Sequence, residues 1–106
     1  MEYADKSIMN IGIDYDGTIS GDPPMWSQII KIMQDCGHTV YCVTKRYRRL
    51  SKDIRANLPK DIKIIFVQTK YKLETTNRLN LKIDVWIDDK PSTIYPVVNR
   101  FSRSFR

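Results

Sequence analysis

The chain has 106 residues, of which 42% are hydrophobic and 28% charged, and its formal net charge is +6. This size and composition indicate one small domain spanning residues 1–106, and they exclude a repeat array or a chain with long apolar membrane-spanning runs. Because no signal-peptide core is apparent, we expect a cytoplasmic protein with no membrane partner. The positive charge favours anionic partners such as phosphate esters, nucleotides or nucleic acid.

The first strand is predicted over residues 7–14, and it stops where two acids, Asp14 and Asp16, stand two positions apart. A buried strand does not tolerate unpaired carboxylates, so we expect the chain to leave the sheet here, with Asp14 at the strand tip. In open α/β sheets the ligand lies at the carboxyl ends of the strands. Two close carboxylates repel each other, and a hard divalent cation such as Mg²⁺ is their natural counter-charge.

A loop over residues 15–22 leads into the first helix. Asp22 is predicted as its N-cap, with Pro23 at the first helical position, and Gly37 ends it. Its apolar residues at helical spacing are Trp26, Ile29, Ile30 and Met33. The second strand is predicted over residues 39–43.

The second half of the chain continues this alternation. A basic run over residues 45–49 leads into a second helix, and strands are predicted over residues 62–67 and 83–87. A third helix, opening near Lys72, is predicted between those strands. The predicted apolar residues of the second helix are Leu50, Ile54 and Leu58; those of the third are Leu73, Leu79 and Leu81. Strands alternating with helices predict an α/β fold with a parallel sheet and right-handed crossovers.

Polar side chains that could take part in catalysis or ligand binding follow three of the predicted strands and precede the third helix. They are Asp14 and Asp16 after strand one, Thr44 after strand two, Lys70 or Lys72 before the helix, and Asp88 and Asp89 after strand four. Because parallel strands end at the same edge of a sheet, we expect these groups to converge. Each suits phosphoryl transfer: one acid attacks phosphorus, a second exchanges protons, and the hydroxyl, the ammonium group and a cation stabilise the phosphoryl oxygens.

This set resembles the motifs of the haloacid dehalogenase (HAD) superfamily of phosphohydrolases. Residues 14–18, with the sequence DYDGT, match that family's first motif, DxDGT. Thr44, Lys72 and the Asp88-Asp89 pair match its second, third and fourth motifs in order. The resemblance covers about residues 7–95, and four motifs in the right order are far more specific than any one alone.

The resemblance implies a three-layer α/β/α, Rossmann-like parallel sheet with strand order 4-1-2-3. It also implies that Asp14 is the nucleophile and that Asp16 is the general acid and base. Thr44 would hydrogen-bond the transferring phosphoryl group, and Lys72 would bind it and restrain the acids. Thr18 would help to fix the first loop.

The resemblance also implies a Mg²⁺ cofactor. The ion would be held by the Asp14 side chain, the backbone carbonyl of Asp16 and the Asp88 side chain. Asp89 would lie in or beside that shell.

Two points separate this chain from the usual family pattern. Lys70 competes with Lys72 for the third motif, and Lys72 is preferred because it directly precedes the helix. Family members usually carry an inserted cap domain, but neither residues 19–26 nor residues 68–72 are long enough to hold one. We therefore expect a minimal core without a cap.

The basic run beside Thr44 is expected to line the rim of this open site, although a solvated helix start would look the same. The candidate substrate-binding residues are Thr18, Lys45, Arg46, Arg48 and Arg49. We therefore expect a phosphatase that acts on a nucleotide or a nucleic-acid end phosphate through an aspartyl-phosphate on Asp14. The alternatives are a sugar-phosphate phosphatase, a receiver-like signalling domain and a non-catalytic phosphate-binding or regulatory module. Oligomerisation remains open.

Other features have simpler expectations. Cys36 and Cys42 are expected to be free thiols, because His38 lies between them but no fourth zinc ligand is near. Trp26 is expected at the pocket rim and Trp86 in the core. The basic tail over about residues 99–106 fits a grip on nucleic acid or a half-ordered end, and residues 1–6 are expected to fray.

Overall fold

A computed structural model describes residues 7–96. The expectations for residues 1–6 and for the tail at residues 99–106 fall outside this part of the chain. Within it, strands and α-helices alternate in the order β1 (Asn10–Ile13), α1 (Pro23–Asp35), β2 (Thr39–Thr44), α2 (Lys52–Ala56), β3 (Lys63–Phe66), α3 (Lys72–Arg78) and β4 (Val85–Ile87). Single turns of 3₁₀-helix lie at Ile19–Gly21, Arg48–Leu50 and Pro91–Thr93.

The four strands form one parallel sheet in the order β3-β2-β1-β4. Read from the β4 edge, this is the order 4-1-2-3 expected from the sequence. The chain runs outward from β1 through β2 to β3, and it then crosses back to place β4 on the other side of β1. The direction of winding therefore reverses between β1 and β4, which is where α/β sheets open a ligand crevice at the strand ends.

The apolar core lies on both faces of the sheet. Alternate side chains of a strand point to opposite faces, so Val40 and Cys42 of β2 join one cluster while Val43 joins another. The larger cluster includes Ile30 of α1 and Ile54 of α2, which therefore cover the first face. The second cluster is joined by Leu81, just after α3. Apolar side chains therefore pack on both faces of the sheet at β2.

The strands differ from the predicted ranges at their ends. The strands predicted over residues 7–14, 62–67 and 83–87 are each shorter in the structure. Backbone pairing with a neighbouring strand covers only residues 10–13, 63–66 and 85–87 of these ranges. The strand predicted to end at residue 43 instead includes Thr44. Asp14 lies outside β1, yet its backbone N–H still donates to the carbonyl oxygen of Ile87 at 2.9 Å, so its position is set by the sheet.

The second and third helices are shorter and less apolar than predicted. Leu50 is 62% exposed and lies in the separate 3₁₀ turn, so its assignment to the apolar face of the second helix is wrong, whereas Ile54 and Leu58 are buried. Leu79 is 56% exposed, so its assignment to an apolar face of the third helix is also wrong. The buried residues of α3 are Lys72 and Thr76, one turn apart, because this face borders a polar site.

The connections leave no room for an inserted domain at the two expected positions. Residues 14–22 join β1 to α1 and include one 3₁₀ turn, and residues 67–71 join β3 to α3. Among residues 7–96, no helix is both long enough and apolar enough to cross a membrane.

Candidate active site

One pocket at the carboxyl edge of the sheet brings the four motif positions together. Asp14 follows β1, Thr44 ends β2, Asp88 follows β4 and Lys72 opens α3. The pocket has a volume of about 200 Å³. Its lining residues are Asp14, Asp16, Thr44, Lys45, Arg46, Lys72, Asp88, Asp89, Lys90 and Thr93. The convergence predicted from parallel strand ends is therefore present in the structure.

Lys72 is the buried centre of the site. Its side chain is 2% exposed, and its Nζ donates to Asp14 Oδ1 and Asp88 Oδ2, both at 2.6 Å. A buried ammonium group is tolerated only when it is paired in this way. The start of α3 is itself held, because Glu74 Oε1 accepts a hydrogen bond from the Tyr71 N–H at 2.8 Å.

Lys72, and not Lys70, lies in the acid pocket. Lys70 is exposed, and its Nζ lies 5.4 Å from the centre of the Tyr71 ring, outside the pocket lining. Lys72, two residues later, faces the acids. This agrees with the argument that the motif lysine directly precedes the helix.

Three carboxylates form a group that suits a hard cation. One oxygen each from Asp14, Asp88 and Asp89 lies within 4.8 Å of the others, and carboxylate oxygens are the ligands that hard divalent cations prefer. Asp88 is oriented by the Lys90 N–H, which donates to its Oδ1 at 2.8 Å, and by Thr93 Oγ1, 3.3 Å from its Oδ2. Burial raises the pKa of Asp14 to about 6, and the ammonium of Lys72 opposes that shift.

Thr44 presents a hydroxyl that the described chain leaves without a partner. Its side chain is buried, with the residue 1% exposed, and Oγ1 makes no hydrogen bond within residues 7–96. An unsatisfied buried hydroxyl costs about 1–3 kcal/mol, so such groups are uncommon. Because Thr44 lines the pocket, a ligand oxygen placed there would satisfy it.

Thr18 is placed differently from the expectation of a substrate contact. It does not line the pocket; its N–H donates to the Tyr15 carbonyl at 3.2 Å, and its own carbonyl accepts from Gly21 at 3.1 Å. Its buried Oγ1 also has no partner in residues 7–96. The placement fits the other part of the prediction, a role in fixing the first loop.

Gly17, in the loop after β1, lies close to the Asp89 side chain. Its φ is +84°, and a Cβ at this position would overlap the Asp89 carboxylate, whose carbon would lie 2.7 Å away. Only a residue without a side chain combines this backbone conformation with so close an approach.

Asp16 is set apart from the three clustered acids. Arg46 Nε donates to its Oδ2 at 3.0 Å and Arg46 NH2 to its Oδ1 at 2.7 Å. The other side of the guanidinium binds Asp53 of α2, with NH1 at 2.7 and 2.9 Å from the two carboxylate oxygens. These hydrogen bonds raise the pKa of Arg46 further above its usual range, so the guanidinium stays charged.

The basic run divides between this pocket and its neighbours. Lys45 and Arg46 line the acid pocket, whereas Arg48 and Arg49 line two adjacent pockets beside Phe66 at the end of β3. The expectation that Arg48 and Arg49 form the rim around Thr44 is therefore wrong in its placement. Arg48 begins a 3₁₀ turn, and its guanidinium lies 4.9 Å from the centre of the Phe66 ring at the end of the outer strand.

Some pocket residues escaped the sequence reasoning. Lys90 and Thr93 follow the fourth motif closely, and their proximity to it was an available signal. Asp53 could have been suspected only as an acid near a basic run. Trp26 was expected at the rim, but it packs against the larger core cluster, because α1 turns that face to the sheet.

The remaining sequence features have structural roles. Trp86 packs against the second cluster, as expected. Cys42 is buried, and burial raises the pKa of its thiol to about 12, so it remains protonated. His38 Nδ1 accepts a hydrogen bond from the Met9 N–H at 3.0 Å. In the part of the chain that is described, no cysteine or histidine joins a group that could hold a metal.

Comparisons with protein-family models, with curated proteins and with solved structures find no match.

Proposed function

We propose that this protein is a Mg²⁺-dependent phosphatase of the HAD type, built on a three-layer Rossmann-like core. The supporting observation is the single pocket in which Asp14, Thr44, Lys72 and Asp88 meet at the point where the sheet reverses its winding. The DxDGT sequence that supplies Asp14 adds to this support, as does the Thr44 hydroxyl, which has no hydrogen-bond partner within residues 7–96.

In the first half of the proposed reaction, an Asp14 carboxylate oxygen attacks the phosphorus of a phosphomonoester. The bond between phosphorus and the leaving oxygen breaks, and Asp16 gives that oxygen its proton. The product alcohol leaves, and the phosphoryl group remains on Asp14 as an aspartyl-phosphate.

In the second half, water attacks the phosphorus while Asp16 takes a proton from it. The bond between phosphorus and the Asp14 oxygen breaks, which restores the carboxylate and releases inorganic phosphate. Asp16 thus ends the cycle protonated, ready for the next substrate.

The other residues position these groups. The Thr44 hydroxyl and the Lys72 ammonium are placed to bind phosphoryl oxygens, and Lys72 also holds Asp14 at 2.6 Å. Both Asp16 oxygens are occupied by Arg46, so proton transfer requires that contact to loosen while Asp53 retains the guanidinium. A divalent cation held by Asp14, Asp88 and Asp89 would neutralise charge on the phosphoryl group.

A nucleotide or a nucleic-acid end phosphate is the favoured substrate, because the pocket is uncapped and cations stand at its mouth and beside it. A sugar phosphate is the alternative within the same activity. A receiver-like domain is disfavoured, because the residues at and after the end of β3, Phe66, Val67 and Gln68, include no acid to phosphorylate. A non-catalytic phosphate-binding module remains the rival class.

Hydrolysis of an aryl phosphate tests the proposal. We expect turnover in millimolar Mg²⁺ and its loss in EDTA, with recovery when Mg²⁺ is restored. Binding of inorganic phosphate without any turnover, in the same buffer, would instead identify a non-catalytic module.

A further inference from the structure

Two more pockets lie beside β3, the outer strand of the sheet. The first, of about 520 Å³, is lined by Tyr47, Arg48, Arg49, Phe66 and Gln68. The second, of about 540 Å³, shares Arg48, Arg49 and Phe66 with it and extends along α2 and β3. Neither pocket shares a lining residue with the acid pocket, but Gln68 Nε2 in the first pocket donates to the carbonyl oxygen of Arg46, an acid-pocket residue, at 3.5 Å.

This row of pockets carries a strong positive charge. Five cationic side chains line the outermost pocket: Arg48, Arg49, Lys52, Arg55 and Lys63. Within residues 7–96, none of these cations makes a salt bridge with a carboxylate; Arg55 donates instead to backbone carbonyls, among them Ile62 at 2.7 Å. Cations gathered in a groove without acidic partners favour a ligand that brings several negative charges.

Aromatic rings stand among these cations. The guanidinium of Arg48 lies 4.9 Å from the centre of the Phe66 ring, and that of Arg49 lies 5.8 Å from the centre of the Tyr47 ring. Tyr47 is 57% exposed, which leaves much of its ring available for contact. Proteins that bind single-stranded nucleic acid without regard to sequence combine two features. Cationic side chains contact the phosphate backbone, and aromatic rings between them stack on the bases.

We propose that this row of pockets binds a single-stranded polynucleotide. Its phosphates would follow Arg48, Arg49 and Lys63, and a base would stack on Tyr47. An acidic polypeptide would use the cations but would gain nothing from the exposed ring, and for this reason the aromatic contact favours nucleic acid. If the terminal phosphate of the polynucleotide lies in the acid pocket, that placement rests on the proposed function. Binding of the polynucleotide along the row of pockets does not rest on it.

The test is the binding of a fluorescently labelled single-stranded oligonucleotide of about 12 nucleotides, without terminal phosphates, followed by anisotropy at several salt concentrations. Arg48→Gln with Arg49→Gln should weaken binding about tenfold, the effect of losing two exposed ion pairs. The slope of log affinity against log salt should fall by about 1.4, since each single-strand phosphate contact contributes about 0.7. Tyr47→Leu should weaken binding and leave that slope unchanged.

The matched control is Lys31→Gln with Lys82→Gln, which removes the same charge from side chains that are 75% and 88% exposed and outside the row. We expect it to change affinity by less than about twofold. Equal losses in the two double variants would overturn the proposal, as would displacement of the oligonucleotide by polyglutamate as readily as by unlabelled oligonucleotide.

The two proposals fail separately. Hydrolysis of the aryl phosphate without oligonucleotide binding would refute the polynucleotide groove alone. Oligonucleotide binding by a protein that hydrolyses no phosphate ester would refute the phosphatase alone.

Discussion

Asp14 and Asp16 are two positions apart in the sequence but occupy different surroundings. Asp14 is 8% exposed and paired with the buried Lys72, which suits a group that must be held still to attack phosphorus. The Asp16 side chain is 52% exposed and is held by Arg46. The surroundings of Asp14 fit the proposed nucleophile, whereas Asp16 can act as the proposed acid and base only when its contact with Arg46 loosens.

Replacing each acid separates these roles. Asp14→Asn should abolish both turnover of an aryl phosphate and formation of the phosphoenzyme. Asp16→Asn should slow turnover by about 10²–10⁴-fold, the usual contribution of a general acid and base, while Mg²⁺ binding largely survives. Rapid-quench trapping of phosphoenzyme, together with steady-state rates, measures both effects. A phosphoenzyme still trapped in Asp14→Asn would contradict the assignment of the nucleophile.

The close contact between Gly17 and Asp89 predicts that Gly17 cannot be replaced by a residue with a side chain without a loss of stability. Gly17→Ala introduces a side chain at φ +84° and presses it into the Asp89 carboxylate, so we expect a loss of about 1–3 kcal/mol in stability and weaker Mg²⁺ binding. Gly21→Ala is the control, because a Cβ there meets nothing within 4 Å. Chemical denaturation and calorimetric Mg²⁺ titration of both variants provide the comparison, and equal behaviour would mean that this contact is unimportant.

Individual site residues were predictable where a motif tied them to a strand end. Asp14, Thr44 and Asp88 follow or end parallel strands, so the topology itself gathers them. Arg48 and Arg49 were misplaced: they line pockets beside Phe66, and no periodicity in the sequence reveals the 3₁₀ turn in which they lie.

At the scale of elements, α3 is unusual in turning polar residues inward. Lys72 and Thr76 are its buried residues, and Lys72 joins α3 to the ends of β1 and β4 through its two carboxylate partners. The helix therefore packs partly through charge, and its weak apolar pattern in the sequence follows from this.

Lys72→Met should be strongly destabilising in the absence of Mg²⁺. It leaves Asp14 and Asp88 buried without their cation, and breaking a buried ion pair from one side costs about 3–5 kcal/mol. Lys70→Met, two residues earlier and on the surface, should change stability by less than about 0.5 kcal/mol. Urea unfolding in EDTA compares the two, and similar midpoints would show that Lys72 does not hold the site together.

The order of the elements was easier to predict than their limits. Apolar runs separated by Gly and Pro signals located each strand and helix, and the strand order came from the family resemblance. Leu50 and Leu79 were assigned to helix interiors because their spacing fits, but spacing does not say whether a sheet lies opposite to receive them.

For the molecule as a whole, the proposed Mg²⁺ site leads us to expect that stability depends on the metal. Without a divalent cation, the carboxylates of Asp14, Asp88 and Asp89 lie within 4.8 Å of one another, and within residues 7–96 Lys72 is the cation that forms salt bridges with this group. A ligand that binds only the folded state stabilises it by mass action, and at 100 times its dissociation constant the gain is about 2.7 kcal/mol.

Mg²⁺ should therefore raise the melting temperature, and Asp88→Ala should remove most of that gain. Asp61→Ala serves as the control, since Asp61 is exposed and lies outside the acid group. Calorimetric scans in EDTA and in millimolar Mg²⁺ measure the shift. A wild-type protein that melts at the same temperature in both buffers would show that the acids do not hold the ion.

The position of Trp86 makes intrinsic fluorescence a possible reporter of the acid pocket. Its indole ring packs where a Cβ on Gly12 would lie 3.3 Å from its Cε3, so it is held against β1, and it stands two residues before Asp88. Trp26 belongs to the cluster on the other face of the sheet. With Trp26→Phe in place, the remaining tryptophan emission should follow what happens at the acid pocket, so that the unlabelled protein signals its own ligand binding through its fluorescence.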